Sequence, residues 1–217
     1  MSTPTPPLTL YVDSYWISPY VFSAFVALTE KGVPFETRSL HLPGKDHHAP
    51  EYRDRSLTGR VPTLVHGDFW LAESSAIAEY LEEIFPTPRY PRLFPEDVQK
   101  RARARQVMAW VRSDLGALRD ERPANTIFFQ PAEASLSPTA VHDVSRLERA
   151  ASILVPDGAT TMFGAWSLAD SELAFMLHRL IRNGHDIGPK LKAFAEAQWA
   201  RPAVRAFVER ERQPYPV

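Results

Sequence analysis

Hydrophobic and polar residues alternate along two short stretches near the start of the chain, residues 8–12 and 34–40. Alternation with a period of two residues is typical of β-strands. Between them, residues 19–31 place hydrophobic side chains at helical spacing, follow a Ser-Pro pair suited to a helix start, and stop at Gly32. The pattern predicts a β-α-β unit, whose strands should be parallel because a crossover helix joins them.

Two further apolar runs, residues 61–65 and 69–71, flank the sequence His-Gly-Asp, which indicates a β-hairpin. The preceding residues, 41–60, are polar and predict an irregular or weakly helical piece. After the hairpin, hydrophobic residues at helical spacing predict one more helix; they are Ile77, Tyr80, Leu81 and Ile84. The predicted order is therefore β-α-β, an irregular piece, and β-β-α.

A proline-rich stretch, residues 86–97, separates this pattern from a second one. Closely spaced prolines favour an extended, semi-rigid connector. Beyond it we find no convincing strand, and five stretches favour helix: 98–119, 139–154, 169–183, 190–199 and 203–210. The sequence thus predicts an α/β domain over residues 1–85 and an all-α domain over residues 98–217, joined by the 86–97 linker.

Composition and charge narrow the classes of partner. The chain has 25 Lys and Arg against 26 Asp and Glu, which gives no electrostatic reason to expect nucleic acid or an anionic membrane as the main partner. It has no cysteine, so disulfides, thiolate metal sites and catalysis by a protein thiol are excluded. Residues 1–12 lack the basic and apolar regions of a leader, and no apolar stretch approaches about 18 residues. We expect a soluble, cytoplasmic protein.

An acid and two hydroxyls, Glu73, Ser74 and Ser75, stand where the helix after the hairpin begins. A helix N-terminus offers free N–H donors and the positive end of a dipole, which suits a carboxylate. Serine hydroxyls extend that donor set, and Glu73 could take up an ammonium group beside it. The trio therefore suits an α-amino acid carrying both charges. The alternative is that one serine is an N-cap and Glu73 a partner of the helix dipole.

Pro62 lies within an apolar run, so it must occupy a strand start or an edge, where no N–H is needed for the ladder. It can do so in trans, as an ordinary edge proline, or in cis, which costs only about 0.5–1 kcal/mol before a proline. A cis bond would turn the backbone of Val61 outward to pair with an extended peptide.

Ser18 also has two possible roles. It can cap the first helix, or it can point its hydroxyl at a ligand sulfur. The sequence gives no sign of a nearby base, which argues against covalent catalysis by a serine. Donation of a hydrogen bond to a thiolate of the ligand is chemically easier. Ser14 and Tyr15 are close enough in sequence to take the place of Ser18.

The element order, the proline at the head of the third strand, the proline-rich linker and the helical second domain together resemble the cytosolic glutathione transferases in their bacterial, serine-type form. Four stretches carry the resemblance, in the family's order: SPYVFSAFVALTEKGVPFE, GRVPTL, ESSAIAEYL and SLADSELA. They match the first helix and next strand, the cis-proline segment, the start of the glutathione-binding helix and the capping motif of the helical domain. The resemblance implies a thioredoxin-like first domain followed by an all-α domain that contributes the electrophile pocket.

The resemblance also implies roles for single residues, with glutathione as the substrate. Ser18 would donate a hydrogen bond to the glutathione thiolate. Val61, next to a cis Pro62, would bind the cysteinyl part through its backbone. Glu73 and Ser74 would bind the γ-glutamyl end.

His47 and Arg60 match positions that in some family members hold the glycine carboxylate of glutathione, although both could equally be solvated. His47 and His48 could alternatively be a metal pair. Two adjacent histidines without a third ligand make a poor site, so we expect no metal.

The helical domain offers Trp110 and Arg112 as candidates for the electrophile pocket; an ordinary packed tryptophan and a surface arginine would fit the pattern equally well. Ser167 stands three residues before Asp170, a spacing that suits a reciprocal helix cap. We therefore expect Asp170 to be structural.

The implied activity is attack of the glutathione thiolate on an electrophile or a peroxide, by a homodimer. A glutathione-dependent peroxidase or isomerase would share the binding site and differ only in the second pocket. A non-enzymatic binding or regulatory protein would use the scaffold alone. Retention of the residues expected to contact glutathione argues against that reading, since a pure scaffold does not need them.

Overall fold

The computed structural model describes residues 7–216; residues 1–6 and residue 217, at the outer ends of the two predicted domains, lie outside the described part of the chain. The chain divides into two units. The first holds the described residues up to Pro91 together with 211–216, and the second holds Arg92–Arg210. The division falls inside the stretch predicted as a linker. Residues 211–216 group with the first unit, whereas the sequence prediction counted them with the helical domain.

Four strands of the first unit form one mixed sheet in the order β2-β1-β3-β4. Their bounds are β1 Leu8–Asp13, β2 Phe35–Leu40, β3 Thr63–His66 and β4 Phe69–Ala72. As predicted, β1 and β2 are parallel, and β3 and β4 form an antiparallel hairpin. Strand β3 also runs antiparallel to β1, so β1 and β3 are the two central strands.

Three α-helices accompany this sheet: α1 Pro19–Lys31, α2 Pro50–Arg53 and α3 Ser74–Ile84. A single 3₁₀ turn at Asp46–His48 precedes α2, so the piece predicted as irregular or weakly helical is confirmed. The ends of α1 and α3 are tied by Lys31, whose fully buried ammonium donates to a Glu82 carboxylate oxygen at 2.6 Å. A buried charge is tolerated only when it is paired in this way.

The core of the first unit lies between the sheet and helices α1 and α3. Leu8, Leu10 and Val12, which alternate along β1, are buried, as the period of two predicts. Fully buried side chains from these elements include Leu10, Val12, Val21, Phe22, Leu28, Leu64, Ile77 and Leu81. The sheet and both helices are therefore fixed relative to one another by apolar packing, which holds the loops at the sheet edge in place.

The second unit is helical. Its helices are α4 Val98–Ser113, α5 Gly116–Glu121, α6 Asn125–Phe128, α7 Pro138–Leu154, α8 Leu168–Ile181, α9 Gly188–Trp199 and α10 Pro202–Val208. Helix α8 is buried on every side except at its last residue, as expected of a helix at the centre of a bundle. No helix in residues 7–216 is long and apolar enough to cross a membrane.

The prediction of a single helix over 98–119 is wrong in one respect, because the helix is interrupted at Asp114 and Leu115. Leu115 takes a left-handed conformation, with φ of 57°. The Asp114 carboxylate accepts the N–H of Leu115 at 2.8 Å and that of the Trp110 indole at 3.0 Å, and it pairs with Arg146. These contacts replace the helical hydrogen bonds at the break, and hydrophobic spacing alone does not reveal them.

Candidate active site

Three loops of the first unit meet at one edge of the sheet. Thr63 of β3 is paired on one side with Tyr11 of β1 and on the other with Ala72 of β4. Strand β3 begins at this edge, and its antiparallel neighbours β1 and β4 end there. The segments that follow β1 and β4 and the segment that precedes β3 therefore lie beyond the same edge. Those segments carry four of the predicted glutathione contacts: Ser18, Val61, Glu73 and Ser74.

Ser18 is the N-cap of α1, with extended backbone angles and with Pro19 at the first helical position. Its hydroxyl oxygen accepts the backbone N–H of Val21 at 3.3 Å. A hydroxyl has one donor hydrogen and two acceptor lone pairs, so capping uses only an acceptor. The side chain is partly exposed, and its hydrogen can be offered to a ligand at the start of the helix.

Asp13, at the end of β1, holds the loop that carries Ser18, and sequence analysis missed it. Its two carboxylate oxygens accept the N–H groups of Ile17, at 2.9 Å, and Ser18, at 3.2 Å. Burial raises the pKa of Asp13, while these hydrogen bonds and the charge of Arg212 act in the opposite direction. These bonds span four and five residues, longer than the two-residue reach of a local Asp turn, so no short motif pointed to Asp13.

The two residues considered as substitutes for Ser18 have other partners. The Ser14 hydroxyl lies 3.3 Å from Nδ1 of His41. Tyr15 is buried, and its ring packs against those of His41 and Tyr215, with centroid separations of 5.8 and 5.0 Å. Of these three candidates, Ser18 is the one that caps α1.

The Val61–Pro62 peptide bond is cis. The carbonyl of Arg60, immediately before it, accepts hydrogen bonds from the Tyr52 hydroxyl at 2.6 Å and from the Thr63 hydroxyl at 3.1 Å. The two hydroxyls are themselves 2.8 Å apart. Neither backbone group of Val61 hydrogen-bonds to another residue in the described range 7–216. Helix α2 and strand β3 thus hold the segment from both sides, while Val61 keeps a donor and an acceptor for a ligand.

Glu73 and Ser74 form the start of α3. Glu73, and neither serine, occupies the N-cap position, and its side chain makes no capping hydrogen bond. Its backbone has φ of 70° and ψ of 113°, a conformation that a non-glycine residue adopts only when its surroundings impose it. The Glu73 side chain is exposed, and Ser74, the first helical residue, is buried. Within the part of the chain that the structure describes, the helix start therefore presents a carboxylate without a partner beside free N–H groups.

His47 and Arg60 are placed near each other by the backbone. His47 lies in the 3₁₀ turn before α2. Its carbonyl oxygen is close to Gly59, the residue before Arg60, since a Cβ added to Gly59 would lie 3.9 Å from that oxygen. The buried Nδ1 of His47 has no hydrogen-bond partner within residues 7–216, and burial lowers the pKa of its ring. The Arg60 side chain is exposed. Across the same range, no three His, Cys, Asp or Glu side chains are grouped to hold a metal ion.

The two candidates of the helical unit lie in different surroundings. Trp110 lines a cavity of about 330 Å³ between α4 and α7, together with Arg103, Gln106, Val107, Ala150, Ile153 and Leu154. Arg112 instead forms an ion pair with the buried Glu172 of α8. The structure therefore does not bring Trp110 and Arg112 together at this cavity.

Asp170 is buried and structural, as predicted. With Ser167 it forms the capping box of α8. Its carboxylate accepts the backbone N–H groups of Met162 and Ser167, each at 2.7 Å, and the hydroxyl of Ser167 at 2.9 Å. Asp170 thus joins the preceding loop to the central helix. Burial raises its pKa to about 6, against the effect of these hydrogen bonds.

Comparison with known families agrees with this arrangement. The family model for the glutathione S-transferase N-terminal domain matches residues 17–84, and that for the glutathione S-transferase C-terminal domain matches residues 97–212. The chain belongs to the glutathione S-transferase family.

Curated relatives of this glutathione S-transferase family chain match over part of their length. Glutathione S-transferase 1 of Dianthus caryophyllus is 37% identical over 126 residues, which are 58% of this chain and 55% of the relative. Maleylpyruvate isomerase of Ralstonia sp is 34% identical over 109 residues, 50% of each chain. The chain thus spans about half the length of these curated relatives.

Solved structures match over nearly the whole chain. A glutathione transferase homologue from Burkholderia gl BGR1, solved with bound glutathione, is 40% identical with a TM-score of 0.75, and the match covers 94% of this chain and 97% of the other. A bacterial maleylpyruvate isomerase of the Zeta class, in its holo form, is 28% identical with a TM-score of 0.71, covering 92% and 96%. The thioredoxin-like first domain and all-α second domain predicted from the sequence are therefore confirmed.

Proposed function

We propose that this protein binds glutathione at the sheet edge of its first unit and activates the glutathione thiol for attack on an electrophile or a peroxide. The observation that carries the proposal is the meeting of three loops at that edge, since they offer a separate contact for each part of one peptide. Glutathione bound to the 40% identical Burkholderia homologue supports the same ligand.

In this proposal the start of α3 binds the γ-glutamyl end. The Glu73 carboxylate pairs with the α-ammonium group, and Ser74 with the neighbouring N–H groups receives the α-carboxylate. Val61 pairs with the cysteinyl backbone as one strand pairs with another. Arg60, which directly precedes Val61, and His47, whose carbonyl lies close to Gly59, are the candidates for the glycine carboxylate.

Ser18 would act on the sulfur. Because the protein has no cysteine, the reacting thiol is that of glutathione. Ser18 donates its hydroxyl hydrogen to the sulfur, and the N-terminus of α1 adds the positive end of its dipole. Both interactions favour the thiolate over the thiol and so lower the thiol pKa. The thiolate then forms a C–S bond with an electrophilic carbon while a halide leaves or the C–O bond of an epoxide opens. With a hydroperoxide, it attacks the terminal oxygen and the O–O bond breaks, which gives an alcohol and glutathione sulfenic acid; a second glutathione then reduces the sulfenic acid, with release of glutathione disulfide and water.

Isomerisation is the second candidate activity, and the match to a maleylpyruvate isomerase over 92% of this chain favours it. A thiolate that adds to a conjugated C=C bond turns it into a single bond that can rotate. Elimination of the thiolate then restores the double bond in the other geometry and releases glutathione. This reaction uses the same thiolate and consumes no glutathione, which separates it from conjugation.

Of the two electrophile-pocket candidates Trp110 is the better one, because Arg112 is already paired with Glu172.

We also propose a cytoplasmic homodimer, in keeping with the family and with C2 symmetry as the commonest oligomer form. A light-scattering mass near the 24.5 kDa of one chain across a wide dilution series would contradict the dimer.

The test is a substrate panel in which glutathione loss and product formation are followed together. Aromatic halides, epoxides, hydroperoxides and a cis-configured conjugated diketo acid cover the candidate reactions. Conjugation or peroxide reduction consumes glutathione as product forms. Isomerisation changes the substrate spectrum at constant glutathione. Glutathione binding with no turnover of any substrate would instead support the non-enzymatic alternative.

A further inference from the structure

Residues 211–216, which we name the return segment, lie against the loop that leads to Ser18. The Nε of Arg212 donates to the carbonyl oxygen of Trp16 at 3.2 Å. The side-chain amide of Gln213 donates to the carbonyl oxygen of Ser14 at 3.4 Å, a longer and weaker contact. The ring of Tyr215 packs edge-on against Tyr15, with centroids 5.0 Å apart. The return segment thus contacts three successive residues of the loop.

The loop needs such support because its backbone is strained. Trp16 has φ of 55°, in the left-handed region that a bulky side chain rarely adopts. Its N–H is bonded to the Asp13 carbonyl at 3.1 Å, and its ring packs edge-on against Phe25. The carbonyl held by Arg212 is therefore that of the strained residue, two positions before Ser18. A strained conformation persists only when its surroundings fix it from several sides.

Asp13 connects this support to the serine. The carboxylate accepts the N–H of Ser18, and the positive charge of Arg212 acts on the same carboxylate. Arg212 therefore influences Ser18 in two ways: it holds the Trp16 carbonyl, and its charge favours the ionised form of Asp13. Loss of Arg212 would release the loop carbonyl and remove a charge that favours the ionised form of Asp13, whereas the hydrogen bonds of Asp13 to Ile17 and Ser18 would remain.

We propose that the return segment, chiefly through Arg212, is a positioning element that fixes the direction in which the Ser18 hydroxyl points. The proposal rests on the function proposed above, in which Ser18 donates to the glutathione sulfur. The return segment is accordingly part of the first unit's machinery even though it follows the helical unit in sequence. Arg212 does not touch glutathione in this account and acts only through the loop.

A positioning role makes a specific kinetic prediction. A misdirected Ser18 hydroxyl weakens the bond to the thiolate, whereas the contacts of Glu73, Ser74 and Val61 with the rest of glutathione remain. Arg212→Gln should therefore lower kcat at neutral pH by about tenfold, the loss of roughly one hydrogen bond to a charged atom. The KM for glutathione should stay within about twofold of wild type. Removal of residues 211–217 should do the same or more.

Arg205→Gln is the matched control, since Arg205 lies in α10 and pairs with Glu209. That variant should keep wild-type kinetics. Arg212→Lys is a second probe, because it keeps a charge near Asp13 but loses the Nε donor; it should fall between wild type and Arg212→Gln. Thermal unfolding of each variant shows whether the molecules compared are equally folded.

The decisive experiment is a double-mutant cycle with Ser18→Ala. If Arg212 acts through Ser18, adding Arg212→Gln to Ser18→Ala should change kcat by less than about twofold. Equal tenfold effects in both backgrounds would show that Arg212 does not act through Ser18 and would overturn the proposal. Wild-type kinetics in Arg212→Gln would overturn it as well, with the proposed function intact. Absence of glutathione binding by the wild-type chain would overturn both.

Discussion

Ser18 accepts the N–H of Val21 at 3.3 Å and so caps α1 with a lone pair, not with its hydrogen. The sequence left capping and ligand activation as alternatives for this residue. The geometry makes them compatible, because a hydroxyl can accept one hydrogen bond and donate another at the same time. The cap in fact holds the oxygen at the helix N-terminus, where donation to an anionic sulfur is assisted by the helix dipole.

Replacement of Glu73 with Gln should weaken glutathione binding more than tenfold. The change removes the charge that would pair with the α-ammonium group, and a charge-assisted contact contributes about 1.5–3 kcal/mol. Gln has the same size as Glu, and its Cβ causes the same strain at the positive φ of this position. Isothermal calorimetry with glutathione measures the affinity.

Glu83→Gln is the control for this change, because Glu83 is an exposed acid near the other end of α3. It should leave the affinity unaltered. An affinity in Glu73→Gln equal to that of the control would remove Glu73 from the binding site.

Tyr52→Phe should raise the KM for glutathione by about twofold to tenfold and leave kcat nearly unchanged, since one neutral hydrogen bond contributes about 0.5–1.5 kcal/mol. The lost hydroxyl holds the Arg60 carbonyl that precedes Val61. Burial raises the pKa of Tyr52 to about 12, so the hydroxyl is protonated and donates at every working pH.

Tyr11→Phe tests whether the effect belongs to that hydroxyl. The Tyr11 ring packs against Tyr52 at 5.0 Å, but its hydroxyl receives a bond from Arg38 and not from the 60–62 segment. Steady-state kinetics on both variants should separate them. A KM in Tyr52→Phe equal to that in Tyr11→Phe would show that the Tyr52 hydroxyl does not support the segment.

The first unit was predictable because its signals are local. The alternating strands, the Ser-Pro start of α1 and the stop at Gly32 each depend on neighbouring residues, and all lie within the described elements. The contacts at the start of α3 could be suggested because a helix N-terminus imposes its own chemistry. The break at Asp114 was missed because its partners Trp110 and Arg146 come together only in the folded helical unit.

The support around the site was likewise beyond sequence reasoning. Tyr52 and Thr63 are eleven residues apart and meet through the fold at one carbonyl. Arg212 lies 196 residues from the Trp16 carbonyl that it holds. Neither Tyr52 nor Arg212 stands in a pattern of hydrophobic periodicity or in a short motif, so only the folded structure shows what each side chain does.

His178 should make the protein less stable in acid. Its ring is buried against Trp199, with centroids 3.7 Å apart, and burial lowers its pKa from 6.5 to about 4. Because the unfolded chain takes up this proton first, the free energy of unfolding falls as pH drops from about 6.5 to 4, by up to ~3 kcal/mol at about 1.4 per unit.

Denaturant unfolding of wild type and His178→Phe, at pH values from 7.5 to about 4, isolates this contribution. Phe keeps a stacked ring and removes the titration. The free energy of unfolding of wild type minus that of His178→Phe should become smaller as the pH is lowered. A constant difference would contradict the buried neutral histidine.

Asp170→Ala should destabilise the protein strongly without altering the activity of molecules that remain folded. It leaves the buried N–H groups of Met162 and Ser167 without an acceptor, at a cost of about 1–3 kcal/mol each. Asp97→Ala, at the exposed N-cap of α4, should cost only about 0.5–2 kcal/mol. Thermal and denaturant unfolding compare the two. An Asp170 variant as stable as the Asp97 variant would refute its structural role.

The raised pKa of Asp170 gives this residue a pH signature opposite to that of His178. Its folded pKa of about 6 exceeds the ordinary value of 3.8, so the folded state is stabilised by protonation as pH falls from about 6 to 4. The wild-type free energy of unfolding minus that of Asp170→Ala should therefore increase over this range. The same denaturant series measures it, and a decrease would have the wrong sign.

Ultraviolet titration of the bound glutathione thiolate, in wild type and in Ser18→Ala, measures whether Ser18 activates the sulfur. A free thiol titrates near 8.5, and one hydroxyl bond to a charged sulfur contributes about 1.5–3 kcal/mol. The wild-type complex should therefore titrate well below that value, and Ser18→Ala should raise the midpoint by about one to two units while glutathione remains bound. Equal midpoints and equal rates in the two proteins would show that Ser18 is only a helix cap.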